Sequence, residues 1–449
     1  MVRRWIAVGV SLVLLCVLSG CSFVNLDTEK QLRAPHAQGE QSDIQTALEQ
    51  HIYSRNAEAE SSDGVISYVL KYPKMGDYRS AFIMKDMDAD GKEEAIAFYA
   101  LQPEGVASHI ALLRKIDGRW QCTDDLEGLA TEIERIHFAD FDGNGRPEMI
   151  AGYSMYNTRD RRLMLYTLDD DTLQERYSDT YTHMLVGHMT DSAHDDLLLF
   201  RLNTADKQTT VRLLTMENSV IVEKGTAALD SYILQFEKYA FADFGDGVRG
   251  VYQDCTKDAQ TTITELILWD GKTLSAPLFD PEEKLTTCSA RESGLPFFDI
   301  NGDRRYEWPT STRLPGDELT PTEDMKVWLT EWYTWDAVLG RTQKVYTDIV
   351  NPYDGYQLIL PEEWIGRVTA VYDEQKRMLS IRQVTDGQIG DELFAVVAFP
   401  AKETNPFGEE FMFLKLTDTT RYELRYNKAV DETLTANMIH EMFSLCEIE

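Results

Sequence analysis

The feature of this 449-residue chain that most constrains its fold is a short acidic motif that recurs along its middle and leads each time into an apolar strand. The copies begin near residues 86, 140, 188, 243 and 299, so one unit is about fifty residues long. The copies at 86 and 140 are well preserved, the copy at 299 is intermediate, and those at 188 and 243 are degraded. Self-similarity at this spacing predicts a repeat architecture.

Each motif is followed by further short β-type segments that are joined by turn residues. In the first unit, residues 94–99 and 109–115 are predicted strands, and Asp117-Gly118 is the predicted turn of a hairpin. Several strands in every unit of this length are typical of a propeller blade, because a parallel β-helix needs shorter coils and a helical solenoid needs helical periodicity. We therefore predict a mainly β protein with a β-propeller of about five blades, or alternatively six, over residues 65–350.

The pattern Asp-x-Asp-x-Asp-Gly-x-x-Glu, followed by an apolar strand, resembles the FG-GAP repeats of integrin-α-type β-propellers, which occur in many bacterial surface proteins. The resemblance extends over more than half of the chain. It implies FG-GAP-like blades whose Asp-rich loops bind calcium. A degraded copy can keep the packing of its blade after losing its metal ligands, so the degraded copies do not argue against this fold.

The loop chemistry independently favours calcium, a hard cation that takes six to eight oxygen ligands. Acids at loop positions 1, 3, 5 and 9 and a backbone carbonyl at position 7 would provide them. The predicted ligands are Asp86, Asp88, Asp90, Lys92 and Glu94 in the first loop, Asp140, Asp142, Asn144, Arg146 and Glu148 in the second, and Asp299, Asn301, Asp303 and Glu307 in the fifth. We expect the Ca²⁺ to have a structural role.

The loops have two alternative interpretations, an EF-hand and simple turn formation. An EF-hand needs a bidentate Glu at position 12 followed by a helix, but Ala97 and Ala151 occupy that position and strands follow them. The simpler alternative is that Asp, Asn and Gly cluster here only because turns favour them. In the degraded third copy, His188 and His194 lie near two acids and offer a possible transition-metal site.

The N-terminal segment predicts export and lipid attachment. Arg3 and Arg4 precede an apolar run over residues 6–18, which is too short for a typical membrane span. The run ends in Leu18-Ser19-Gly20-Cys21, which resembles the lipobox of bacterial lipoproteins and implies lipidation of Cys21. An ordinary signal peptide or a single membrane anchor is the alternative. We predict a signal peptide over 1–20, a flexible tether over 21–40 and a helix over 41–64.

The repeat spacing ends near residue 350, and residues 351–449 are predicted to form a separate α+β module. Six strands are expected between residues 356 and 426, and an apolar stripe predicts a helix over 431–445. The turn-rich stretch that begins at Asn351 is the predicted boundary.

The net charge and the motifs of the sequence narrow the range of functions that the protein can have. With 44 Lys and Arg against 76 Asp and Glu, the net charge of −32 argues against nucleic acid as a partner. The familiar hydrolase, nucleotide-binding and zinc-protease motifs are missing from the sequence. We predict a non-enzymatic, extracytoplasmic lipoprotein that faces outward from the cell membrane and binds a cell-surface protein or glycan. The main alternative is a carbohydrate-active hydrolase or lyase on a propeller scaffold, and a third is a purely structural role in an assembly.

Overall fold

The structure is a computed structural model and describes residues 39–446, apart from 59–66, 103–106, 130–131, 156–157, 192, 204–205, 207, 293, 316–326, 405 and 409. The predicted signal peptide and tether, with Cys21, therefore lie outside the described residues apart from the last two positions of the tether. The chain divides into two compact units. The first extends to residue 131 without 74–77 and includes residues 169–173, and the second contains the rest.

The first unit contains one helix and one antiparallel sheet. Its elements are α1 (Glu40–Glu58), β1 (Ser67–Leu70), β2 (Phe82–Lys85), β3 (Glu94–Gln102), β4 (His109–Ile116) and β5 (Arg119–Glu127). The strands are ordered β1-β3-β4-β5. Strand β2 pairs with the first part of β3, and β1 pairs with the last part of β3. Helix α1 begins one residue before the start of the predicted helix over 41–64 and buries Ile44, Leu48 and Ile52 against the sheet, because these residues share one helical face.

The side chain of Asp125 joins helix α1 to this sheet. Its carboxylate is almost fully buried and lies 3.0 Å from Nε2 of His51 and 2.6 Å from the guanidinium of Arg55, both on the helix. From the sheet, Tyr99 donates its hydroxyl proton at 2.7 Å, and Nδ1 of His109 lies 3.2 Å away. Burial alone would raise the pKa of Asp125, but the hydrogen bonds from His109 and Tyr99 outweigh it and lower the pKa to about 2.

The second unit contains most of the strands. Its sheets are formed by β6 (Ile133–Ala139), β7 (Glu148–Ser154), β8 (Arg161–Asp169) and β9 (Thr172–Tyr181); β10 (His183–Gly187), β11 (Asp196–Asn203), β12 (Gln208–Glu217) and β13 (Val220–Leu229); β14 (Gln235–Gly245), β15 (Val248–Thr256), β16 (Thr262–Trp269) and β17 (Leu274–Ser275); and β18 (Trp308–Arg313), β19 (Trp328–Asp336), β20 (Arg341–Asn351) and β21 (Tyr356–Ile359). Each group of four is an antiparallel meander in chain order, as in a propeller blade. Counting the sheet of the first unit as the first sheet, we call these four groups the second, third, fourth and fifth sheets. Of these residues, only 169–173, the turn between β8 and β9 with the adjoining strand ends, belong to the first unit.

Successive sheets of the second unit pack face to face through apolar side chains. Ile150 of the second sheet shares a core with Leu197 of the third, and Val211 of the third shares a core with Ile267 of the fourth. A further core joins the fourth sheet to the fifth through several aromatic rings. The predicted fold class is confirmed, since the chain is mainly β and consists of repeated propeller-type sheets followed by an α+β segment.

The C-terminal segment contributes a sheet of its own and also completes the fifth sheet. Its elements are β22 (Val368–Asp373), β23 (Met378–Thr385), β24 (Gln388–Pro400), β25 (Met412–Leu416), β26 (Thr420–Tyr426), α2 (Ala436–Met442) and β27 (Phe443–Leu445). Strands β22 to β26 form the last sheet, whereas β27 pairs with β21 of the fifth sheet. The predicted helix over 431–445 is therefore shorter, because Thr435 caps its start and Phe443 begins a strand.

The predicted boundary at residue 351 falls inside a hydrogen-bonded hairpin, because β20 pairs with β21 through Asn351 and Tyr356. Two residues of this turn region, Asn351 and Asp354, are buried. Asp354 accepts hydrogen bonds from Arg377 at 2.7 Å and from the hydroxyl of Tyr372 at 3.0 Å, both in the C-terminal sheet. The turn residues that suggested a linker thus form a polar junction, and residues on both sides of position 351 share one core.

Neither described helix is long and apolar enough to span a bilayer.

The pKa of Asp125 predicts a pH-dependent contribution to stability. Because this pKa is lower in the folded state, the contribution is present above about pH 4 and is lost as the pH falls toward 2. Asp125→Asn should reduce the free energy of unfolding by roughly 2 kcal/mol at pH 7. Denaturant unfolding of the variant and the parent should show this difference shrinking between pH 4 and pH 2.

Asp117→Asn is the matched control, because Asp117 lies in the exposed hairpin turn of the same sheet. We expect it to change stability by only a few tenths of a kcal/mol at any pH. A difference for Asp125→Asn that does not vary with pH would contradict the assigned role of its carboxylate.

Candidate metal centre

The first, second and fifth acidic loops have the same internal hydrogen bonds. We number their positions from Asp86, Asp140 and Asp299. In each loop the carboxylate at position 1 accepts the backbone N–H of position 6, at 2.9, 2.8 and 2.8 Å respectively. The side chain at position 3 accepts the N–H of position 5, and the side chain at position 5 accepts the N–H of position 7. The three loops are therefore copies of one backbone structure.

The acid at position 9 closes each loop. Glu94, Glu148 and Glu307 each accept the backbone N–H of the residue seven positions earlier, at 2.9, 2.8 and 3.1 Å. That earlier residue occupies position 2 and turns an apolar side chain inward, such as the fully buried ring of Phe141. The apolar anchor and the buried carboxylate together orient the other acids of the loop toward one another.

The second loop brings three carboxylates together. One oxygen from each of Asp140, Asp142 and Glu148 lies within 4.8 Å of the others. Among the described residues, none of the three forms an ion pair with Lys, Arg or His. Burial and then the charges of Asp142 and Asp140 raise the pKa of Glu148 to about 7. Uncompensated carboxylates at this distance favour either a proton or a cation between them.

The first loop gathers the corresponding residues but already has a positive partner. Asp86, Asp88 and Glu94 also lie within 4.8 Å of one another. The guanidinium of Arg114, from β4, pairs with Asp88 and lies 3.2 Å from Glu94. One oxygen of Asp86, Oδ1, is buried and has no hydrogen-bond partner in the part of the chain that the structure describes. Arg114 thus neutralises part of the charge that a metal would otherwise neutralise.

The fifth loop is a variant of the same site. Asn301 replaces the acid at position 3, and Asp299, Asp303 and Glu307 are not among the described groups of three close carboxylates. Glu307 is fully buried, and its Oε1 has no hydrogen-bond partner among the described residues. Burial and the nearby charges of Asp303 and Asp299 raise the pKa of Glu307 to about 8. This loop has an unsatisfied buried carboxylate with fewer acids around it.

The predicted ligands at positions 5 and 7 are placed differently. Asp90, Asn144 and Asp303 are exposed, and each accepts a backbone N–H of its own loop. Asp90 is not part of the close carboxylate group of the first loop, whereas the amide of Asn144 donates to Asp142 at 2.9 Å in the second. The side chain of Lys92 pairs with Asp90 at 3.0 Å. The metal-binding role of the Lys92 and Arg146 carbonyls stays a prediction.

The degraded third copy keeps the closing hydrogen bond but has a different centre. Asp196 accepts the N–H of Met189, again seven residues earlier. Imidazole nitrogens of His194 lie 3.1 Å from Asp191 and 3.6 Å from Asp196. A ring that can be protonated thus stands beside the acids. The seven-residue spacing in the sequence was the signal that would have identified Asp196 as the equivalent of Glu148.

In the fourth copy the loop is replaced by a tight turn. Strand β14 continues to Gly245, which pairs directly with Val248. The two intervening residues, Asp246 and Gly247, have φ of 52° and 80°, which is typical of a type I′ hairpin. No acid equivalent to Glu148 follows in β15 before Asp254. This copy has no metal loop.

Comparisons with known proteins identify no family. No family model matches the chain, and no curated protein matches it. Solved structures with limited similarity include a rhamnogalacturonan lyase from Bacillus licheniformis, with 12% identity over 73% of this chain and 72% of that chain and a TM-score of 0.27. The Dos1 propeller has 11% identity over 70% and 66%, with a TM-score of 0.28. Sqt1 of Saccharomyces cerevisiae has 8% identity over 80% and 97%, with a TM-score of 0.29. Scores this low carry no inference about function.

Because of Arg114, the stability of the first loop should depend less on a bound metal than the stability of the second loop does. Replacing Arg114 with Met removes the guanidinium that pairs with Asp88 and Glu94. Because three close carboxylates then repel one another, Arg114→Met should lower the melting temperature in the presence of a chelator, and added calcium should restore more stability than it does in the parent. Differential scanning calorimetry with and without calcium measures both effects.

Arg119→Met is the control, since Arg119 is exposed at the start of β5 in the same sheet and has no ion-pair partner among the described residues. It should leave the calcium response unchanged. An equal calcium response in Arg114→Met and the parent would mean that the first loop does not bind calcium.

Proposed function

We propose that the protein is a calcium-binding, propeller-type lipoprotein, anchored through Cys21 on the extracytoplasmic face of a bacterial membrane, which binds another cell-surface component without catalysing a reaction. The observation that carries the metal part is the group formed by Asp140, Asp142 and Glu148, whose carboxylates converge without a described ion-pair partner. The unpartnered buried oxygens of Asp86 and Glu307 support the same chemistry in the other two loops.

Calcium suits these loops better than other common metals. The converging atoms are carboxylate oxygens, without the Cys or His ligands that zinc and copper favour. Magnesium requires near-ideal octahedral geometry, whereas calcium accepts irregular sets of carboxylate and carbonyl oxygens. Loops that are already folded by their own hydrogen bonds need little reorganisation, so the ion would mainly relieve repulsion and stiffen the edge of each sheet.

The anchoring part of the proposal rests on the sequence pattern at residues 18–21 and the Arg pair before the apolar run. A diacylglycerol on Cys21 would bring two acyl chains, which is enough for stable attachment to a membrane. The large negative charge of the protein is compatible with this mode, because the lipid and not a basic surface would hold it there.

Calcium should stabilise the folded protein through the second loop. With 1 mM calcium and a Kd on the order of 10⁻⁴ M, one site contributes roughly 1.4 kcal/mol. Asp142→Asn should abolish most of this contribution, because it removes one charge from the group without changing the loop's shape. Calorimetry and elemental analysis of the dialysed protein measure the stabilisation and the bound metal.

Asp258→Asn provides the matched control. Asp258 caps an exposed turn by accepting the N–H groups of Gln260 and Thr261, but it is not part of a described carboxylate group. Its calcium response should equal that of the parent. Calcium-independent melting of the parent, with no calcium retained, would leave turn formation as the only role of these acids.

Replacing Cys21 with Ser should prevent lipidation, because a hydroxyl does not form the thioether to diacylglycerol. We expect the variant to remain an unprocessed precursor or to leave the membrane fraction in detergent phase separation. The parent protein expressed beside it is the reference. Identical processing and partitioning of the two would exclude the lipobox.

A further inference from the structure

A cleft of about 800 Å³ lies between the fourth and fifth sheets, at the edge where the acidic loops are found. It is separate from the carboxylate groups of the first and second loops. One of its walls comes from the end of β14, and the other comes from the fifth loop and the turn between β19 and β20. All of the residues that line it belong to the second unit.

The floor of the cleft is aromatic. Phe244 and Tyr252 come from the fourth sheet, Trp335 comes from the fifth sheet, and Tyr306 lies in the fifth loop just before β18. The rings of Tyr252 and Tyr306 meet edge to face at 5.7 Å, and Phe244 lies 6.1 Å from Tyr252. Phe244, Tyr306 and Trp335 are only partly buried, so their rings offer apolar faces to a ligand.

The rim carries two arginines in a protein of strongly negative charge. Arg304 and Arg305 both line the cleft and are exposed. Within the described part of the chain, neither guanidinium takes part in an ion pair. Both are therefore available to a carboxylate, which arginine binds with paired N–H donors.

Arg304 occupies a position where glycine would fit the backbone better. It stands at position 6 of the fifth loop with φ of +70°, whereas Gly91 and Gly145 occupy that position in the first and second loops with φ of +85° and +84°. A left-handed conformation is strained for a residue with a Cβ atom. Strain of this kind is often found at functional sites, and here it places a guanidinium at the mouth of an aromatic cleft.

The cleft also has hydrogen-bond acceptors. Asp336 uses Oδ1 to accept the N–H groups of Val338 and Leu339, and its Oδ2 accepts no hydrogen bond from the described residues. Asp243 on the opposite wall uses Oδ1 to accept the N–H of Gly245. The other oxygen of Asp336 can accept a hydrogen bond from a ligand hydroxyl. That of Asp243 lies 3.7 Å from Nε of Arg249, but a carboxylate oxygen has more than one acceptor site and can accept a ligand hydrogen bond as well.

We propose that this cleft binds an acidic glycan, with the apolar face of a sugar ring on the aromatic floor, its carboxylate on Arg304 and Arg305, and its hydroxyls toward Asp336 and Asp243. A sugar acid combines an apolar face, a negative charge and several hydroxyl donors in one ring, whereas a neutral sugar leaves the two arginines unused. This inference rests on the proposed role as a cell-surface binding protein and names the class of ligand.

The test uses the full-length protein with calcium and measures binding by isothermal titration calorimetry and tryptophan fluorescence. The probes are short oligomers of glucuronic, galacturonic or mannuronic acid, each compared with its methyl ester, which keeps the ring and removes the charge. At least one acidic oligomer should bind, and its ester should bind at least tenfold more weakly. Failure of every acidic oligomer to bind at millimolar concentration, or equal binding of acid and ester, would overturn the inference.

Three variants of cleft residues, Arg304→Gly, Trp335→Ala and Arg305→Ala, assign the binding to this cleft. Arg304→Gly should weaken acid binding at least tenfold while keeping or raising the melting temperature, because glycine relieves the strained backbone. Trp335→Ala should weaken acid and ester alike. Arg146→Ala is the matched control for Arg305→Ala, because both residues are exposed at position 7 of their loops and only Arg305 lines the cleft.

Arg305→Ala should weaken acid binding at least tenfold and Arg146→Ala should not. Equal losses in the two variants would mean that binding follows general charge and would overturn the assignment. Asp142→Asn separates this inference from the calcium proposal, since it should reduce calcium-dependent stability and leave glycan binding unchanged. An Asp142→Asn variant that keeps the full calcium response and also keeps acid binding would count against the metal proposal alone.

Discussion

The acidic loops depend on one hydrogen bond, which joins a buried carboxylate at the start of a strand to the backbone N–H seven residues before it. It is present for Glu94, Glu148, Asp196 and Glu307, and so in four of the five repeats. A buried carboxylate is costly unless it is hydrogen-bonded or paired. The bond gives it a partner and fixes the loop above the strand, while the second oxygen stays directed into the loop.

What differs between the repeats is the group that balances this buried charge. In the first repeat it is Arg114, from the neighbouring strand, and in the third the imidazole of His194 lies near Asp196. In the second repeat no basic side chain among the described residues pairs with Glu148, and its pKa is raised to about 7. One scaffold thus accommodates an arginine, a histidine or, by our proposal, a metal ion.

Much of this arrangement follows from local sequence, because an alternating apolar pattern and turn residues act over a few positions. The strands around residues 94–99 and 148–153 and the closing role of Glu148 are of this kind. The ion pair between Arg114 and Asp88 does not follow from local sequence, since it joins a residue of β4 to a residue of the first loop, and their approach depends on the register of the sheet. The junction at Asp354 was missed for a related reason. Turn residues such as Asn351 and Asp354 have the same local preferences whether they are exposed or buried, and only the packing of a distant sheet decides between the two.

The type I′ turn of the fourth repeat has a consequence for its neighbour. Between the second and third repeats, adjacent loops are joined, because Asp140 and Asp195 exchange hydrogen bonds of 2.8 and 3.2 Å. The fourth repeat has only two turn residues at this place, and the aromatic cleft lies beside it. A tandem array can therefore gain a recess by shortening one copy, without changing the residues that form the recess walls in the next copy. In such an array, deletion is a route to new specificity as direct as substitution.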